Sequence, residues 1–213
     1  MRSEITTPLE LLRFEPLAFL LLAAALVLAI ALHEFAHALA ADLQGDRLPR
    51  AMGRVSLNPA RHLDPLGTLL IFLVGFGWGK PVEFRRQALS SQRFGAAIVA
   101  LAGPFMNVVL AIIAGLGLAL HAQIDFGRSA EIFLEVFLSI NVLLAVLNLL
   151  PLPPLDGSRL LTIFLPPSKQ HILFFLDRYG IIILLLLVIL GGSVLLEPLI
   201  SAADSFIRNL VGI

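Results

Sequence analysis

The chain has 213 residues, of which 58% are hydrophobic and only 14% charged; its mean hydropathy is +0.94 and it contains no cysteine. That balance excludes an ordinary soluble domain and reads as an all-α, polytopic membrane protein. Zero formal net charge offers nothing to nucleic acid, and the lack of cysteine excludes disulfides and thiolate metal ligands.

Residues 1–15 are short and polar, with Leu9, Leu11, Leu12 and Phe14 able to lie along the membrane interface, and Pro16 stands where a helix can begin. The first span is expected at about residues 17–41, roughly 37 Å of helix at 1.5 Å per residue, which crosses a bilayer with some tilt. Residues 17–32 carry no charge, and then His33-Glu34-Phe35-Ala36-His37 puts three ionisable groups into the same apolar run. A run that holds such a motif is not expected to be a cleaved signal peptide.

Ionisable groups at that depth are costly and mark a functional site. At i and i+4 the two imidazoles share one helix face, with Glu34 beside them. The pattern HExxH supplies two zinc ligands and a carboxylate that acts as general base on water. His33 lies about ten residues, roughly 15 Å, inside the end of the helix. Because a catalytic zinc site usually takes three protein ligands, one more is required. His62, His121, His171 and the acidic residues are the candidates, and Asp156 stands out because it follows at once on a helix broken by Pro151, Pro153 and Pro154.

Residues 42–65 form a basic loop with Arg47, Arg50, Arg54 and Arg61, interrupted by Gly45, Pro49, Pro59 and Pro65. Residues 66–79 are apolar but short and glycine-rich, which predicts a re-entrant or β-like element between the first and second spans. After the polar residues 80–93 a second span is expected at about 94–120. Its Gly95, Gly103, Asn107, Ala111 and Gly115 recur at multiples of four, a stripe along which another helix can approach closely, with Asn107 read first as packing between helices.

The third span is expected at about 131–150, with Asn141, Ala145 and Asn148 on one inward face that offers water a cytosolic inlet. The three prolines end it, and the unwound backbone needs a wet or protein-lined setting. A fourth span is expected at about 179–197. The tail, 198–213, carries Ile200, Ala203, Ile207, Leu210 and Val211 on one face and is expected to lie along the membrane surface. With four spans to place, a single membrane-embedded domain accounts for residues 1–213.

Eleven Lys or Arg lie in 42–93 and 157–178, against four in the N-terminal segment, the 122–130 loop and the tail. The positive-inside rule therefore puts both motifs toward the cytosol and both termini outside.

HEFAH in the first span, with Asn148-Leu149-Leu150-Pro151-Leu152-Pro153-Pro154-Leu155-Asp156-Gly157 ending a later one, resembles the site-2 protease family of intramembrane zinc metalloproteases. Gly103-Pro104-Phe105-Met106-Asn107 and Gly77-Trp78-Gly79-Lys80-Pro81-Val82 extend the likeness, which covers about residues 17–196. Family members often carry a PDZ or CBS domain, and neither fits here. The resemblance implies one Zn2+ per chain held by His33, His37 and Asp156, with Glu34 as catalytic base and the Asn148 amide steadying the oxyanion. It also implies single-span membrane-protein substrates, cut within or near the transmembrane segment in regulated intramembrane proteolysis; the oligomeric state is open. Two other classes compete: a membrane metal-ion carrier, and an inactive relative that only binds membrane helices.

Overall fold

The computed structural model describes residues 8–74, 78–164 and 170–213. Residues 1–7 of the N-terminal segment, residues 75–77 of the 66–79 element and residues 165–169 of the 157–178 segment, Lys169 among them, lie outside the described residues, as does the side chain of His171.

A short helix α1 (Pro8–Phe14) leads into α2 (Pro16–Leu43), whose first residue is the proline that can open a helix without losing a bond. The second long helix, α5 (Gln92–His121), and the third, α6 (Arg128–Leu149), pack with α2 into one three-helix core. Small residues line it: Ala25 and Ala29 of α2, and Ala111 and Ala114 of α5, are almost wholly buried beside Leu138 and Val142 of α6. Without large side chains between them, the backbones come close enough for dispersion to hold the helices in lipid, where the hydrophobic effect gives no such drive. Leu20, Ile98, Ile113 and Leu116 face outward instead, as lipid-facing residues should.

Three helices, Pro16–Leu43, Phe94–His121 and Arg128–Leu149, are long and apolar enough to cross a membrane. The region of the fourth expected span belongs to α8 (Gln170–Gly191), which continues through a π-helical turn, Gly192–Leu196; its apolar stretch among the described residues is the shorter Arg178–Val188. The count of four spans is thus not established by these helices.

Between α2 and α5 the basic loop is held by two buried carboxylates. Asp42 accepts from Arg47 and, in a two-pronged contact, from Arg50 at 3.0 and 2.7 Å; Asp46 accepts from the Leu48 amide and from Arg85 Nε and Nη2 at 3.1 and 2.9 Å. These bonds fold the loop, with the one-turn α3 (Leu48–Ala51) inside it, back on the end of α2.

The element expected to be re-entrant or β-like begins as a helix, α4 (Pro65–Val74), which reaches Phe19 near the start of α2 through Phe72. No strand forms among the described residues; one isolated bridge joins Leu63 to Gly79, and Lys80 N donates to His62 O at 2.7 Å. Entry and exit therefore lie side by side, as they would in a re-entrant piece or in a hairpin at the interface.

The tail forms α9 (Glu197–Val211), which packs against α5 and α6. Its Ile207 is buried, Val211 lies against Gly115, and Arg208 binds Glu135 of α6 at 2.6 Å and Asp204 at 2.8 Å. One side of this helix is thus sealed by protein.

Candidate active site

Helix α2 carries His33 and His37 one turn apart, both buried, their rings edge to face. Helix α5 crosses beside them at Gly103, where even a methyl group would lie 2.6 Å from His33 Nε2 and still nearer to His37 Nε2. Only a glycine lets the two helices meet at this depth.

The carboxylate arrives from the far side of the sequence. At the end of α6 the prolines stop the helix, and the chain turns back on itself: Gly157 N donates to Asn148 O at 2.7 Å and the Ser158 hydroxyl to Leu155 O at 2.7 Å, before α7 (Ser158–Phe164) begins. A Cβ on Gly157 would stand 2.5 Å from the Leu149 and Leu150 carbonyl oxygens, so this tight return needs glycine. The turn delivers Asp156 to the two histidines. Its Oδ2 is 3.1 Å from each Nε2, and the two Nε2 atoms are 3.0 Å apart.

The outer nitrogens of both rings are already engaged. His37 Nδ1 meets the Val99 carbonyl at 2.7 Å, and His33 Nδ1 meets Asn107 Oδ1 at 2.6 Å. A carbonyl oxygen only accepts, so each ring donates from Nδ1 and leaves the Nε2 lone pair facing Asp156. Three electron-pair donors then crowd together and call for a cation. Their separation is near the roughly 3.3 Å expected between ligands in tetrahedral zinc with bonds of about 2.0–2.1 Å, and two imidazoles with a carboxylate form a zinc-type donor set. His33, His37 and Asp156 are the group among the described residues that can hold a metal ion.

Glu34 lies beside this group, its side chain 13% exposed. The exit of the 66–79 element covers it: a Cβ on Gly79 would come within 3.2 Å of Glu34 Oε1. On its other side Arg54 Nη2 lies 4.0 Å from Glu34 Oε2, with the Arg54 side chain only 3% exposed. Arg54 also donates to the carbonyls of Arg61 and Lys80, which clips the basic loop to the covering segment. In the sequence it looked like one basic residue among many, and nothing local distinguishes it.

Asn148 sits on the last turn of α6, where its Nδ2 donates to Leu144 O at 3.0 Å, and it makes no hydrogen bond to His33, Glu34, His37 or Asp156. Asn107 does bond helix to helix, donating from Nδ2 to Asn141 Oδ1 of α6 at 2.8 Å, and through Oδ1 it also contacts His33 of the site. Asn141 does not line an inlet. It is wholly buried, bonded to Asn107 and to the Phe137 carbonyl. His62 is buried in the basic loop with Nε2 on Ser56 O at 2.7 Å, and His121 accepts from Phe126 N beyond α5, so neither joins the metal-type group.

Apolar spanning helices around two imidazoles, a carboxylate and an adjacent glutamate define a membrane-embedded metalloprotease. The model of Peptidase family M50 matches residues 21–131 and 121–191. "Putative zinc metalloprotease YwhC" of Bacillus subtilis is 36% identical over 192 residues, which cover 87% of this chain and 88% of that one. Two mycobacterial proteins of the same designation, both called Rip2, are also similar. The one from Mycolicibacterium smegmatis is 35% identical over 178 residues (80% of this chain, 67% of that one), and the one from Mycobacterium tuberculosis H37Rv 32% over 184 (81% and 70%). No solved structure matches the chain. The chain belongs to Peptidase family M50, the site-2 protease family. It is a zinc metalloprotease of the membrane, and that membership decides against the metal-ion carrier.

Proposed function

We propose that this enzyme hydrolyses peptide bonds within or beside the transmembrane segment of single-span membrane proteins, in regulated intramembrane proteolysis, from a site facing the cytosol. The observation that carries the reading is the meeting of His33, His37 and Asp156 between helices apolar enough to span a bilayer. A peptide bond brought there is one that lipid surrounds elsewhere. The larger share of Lys and Arg in 42–93 and 157–178 supports the cytosolic side, and with it both termini outside.

His33, His37 and Asp156 would hold the zinc, which when bound would supply Lewis-acid polarisation of the scissile carbonyl and a water of lowered pKa. Glu34 takes the proton from the attacking water and later passes it to the leaving amine. Its place under Gly79 keeps that carboxylate near the metal ligands and largely away from solvent. Asn148 spends one amide hydrogen on Leu144 O and keeps the second for the oxyanion. A helical substrate must unwind before it can be cut, since its peptide groups are paired along the helix. Substrates with helix-weakening residues are therefore preferred.

The test uses purified protein, a panel of single-span peptides with and without a chelator, and sequencing of the products. Wild type should cut within or near the apolar segment and stop on chelation. Glu34→Gln should keep its zinc and lose nearly all cleavage. A Glu34→Gln enzyme that cut at the wild-type rate would remove Glu34 from the mechanism, and products found only in soluble regions would overturn the substrate class.

A further inference from the structure

We propose that Asn141 and Asn107 form a directional relay that fixes the tautomer and ring orientation of His33, making both amides positioning residues for the metal site. The inference rests on the zinc-ligand assignment above. It begins on α6 with the Phe137 carbonyl, which can only accept a hydrogen bond. Asn141 must turn its Nδ2 toward that oxygen, and does so at 2.8 Å. Its Oδ1 is thereby left facing α5, where Asn107 Nδ2 donates to it at 2.8 Å. Asn107 Oδ1 then faces α2 and His33 Nδ1 at 2.6 Å. Every orientation follows from the one before it.

Reversing Asn107 would set two oxygens against each other across the α5–α6 contact and turn an N–H donor toward His33, which could accept it only by moving its own proton to Nε2, on the side of Asp156. Both amides are wholly buried, so no water can rescue the reversed arrangement. His33 thus donates from Nδ1 and keeps the Nε2 lone pair on the side of Asp156. His37 needs no relay, because the Val99 carbonyl does the same work directly. The two ligands are equivalent in the motif and unequal in their support: one is oriented by backbone, the other by a chain that ends on α6. A histidine ligand's outer partner commonly matters as much as this, since it sets both tautomer and aim.

Asn141 is hydrogen-bonded to none of the three metal ligands, which makes it the informative position. In Asn141→Leu the anchor is gone and Asn107 is free to reverse. In Asn141→Asp an acceptor still faces Asn107 Nδ2, and when protonated the acid also donates to Phe137 O. Adding Asn107→Asp to Asn141→Leu places an oxygen toward His33 whichever way the side chain turns, so the double variant should regain what Asn141→Leu loses. A packing role predicts the reverse order, with leucine tolerated in an apolar bundle and aspartate not.

Zinc affinity is measured on the full chain in detergent by competition with a chromophoric chelator, with thermal unfolding of the stripped protein reporting the fold. Asn141→Leu should bind about 10- to 100-fold more weakly, Asn141→Asp within about threefold of wild type, and the double variant more tightly than Asn141→Leu. Asn141→Leu binding within about threefold of wild type, or a double variant no tighter than Asn141→Leu, overturns the relay. If Asn141→Leu does not fold, Asn141→Asp decides, and a loss of about tenfold or more there overturns it. Wild type that binds no zinc overturns the ligand set itself, an outcome distinct from failure of the relay alone.

Discussion

Gly103 shows how little room one position has. Its neighbours across the helix contact are the two imidazole nitrogens, and an added methyl group would have to push a ligand aside. Overpacking of this kind costs about 1–3 kcal/mol, so Gly103→Ala should bind zinc roughly 10- to 100-fold more weakly. Metal analysis after dialysis checks it, with Gly192→Ala as control because nothing lies within 4 Å of that position. His33, Glu34 and His37 stand out in the sequence because such groups are too costly in an apolar run to be incidental, and Asp156 because it follows at once on the helix that Pro151, Pro153 and Pro154 break. Gly103 was legible as part of a small-residue stripe, but not as the neighbour of the histidines. Spacing tells which residues share a face and not what that face meets. Asn107 appeared as the one amide in a stripe of small residues and Asn141 as part of a polar face shared with Asn148, and only the packing of α5 on α6 joins them.

Among the elements, the basic loop and the covering segment act together. His62 is wholly buried there, Nε2 donating to Ser56 O, and Arg54 lies near enough to repel a second positive charge. Burial, with Arg54 adding to it, holds the imidazole's pKa below its ordinary value despite the bond to Ser56. A histidine depressed in the folded state stabilises it above the unfolded pKa of about 6.5 and loses that contribution as pH falls through the folded value. Amide exchange in residues 54–64, corrected for its intrinsic pH dependence, should therefore rise between about pH 7.5 and pH 5. His62→Gln should flatten that rise. The helical start of the 66–79 element was not readable, because a short apolar run rich in glycine satisfies helix and strand patterns alike. The amphipathic period of α9 was readable, while the partner of its apolar side was not: Val211 against Gly115 and Arg208 on Glu135 are contacts between distant parts of the chain.

For the whole molecule, a zinc ion held by His33, His37 and Asp156 would tie α2 to the turn after α6 and so fasten the three-helix core at one end. Binding only to the folded state stabilises it by about 2.7 kcal/mol at a hundredfold excess of ligand over Kd. Adding zinc to stripped wild type should raise the Tm by several degrees, and Asp156→Ala should show little of that rise. Differential scanning in detergent measures both. The all-helical class and the membrane setting were legible from composition and apolar run length alone, since lipid leaves few other ways to satisfy a backbone.

Asp156 follows His33 by 123 residues. A ribosome therefore delivers the opening helix, imidazoles and glutamate included, well before the aspartate that completes the metal's grip. Throughout that interval the growing chain has two members of the metal-type group and lacks the third, so a closed metal site has to wait until the proline-rich turn emerges.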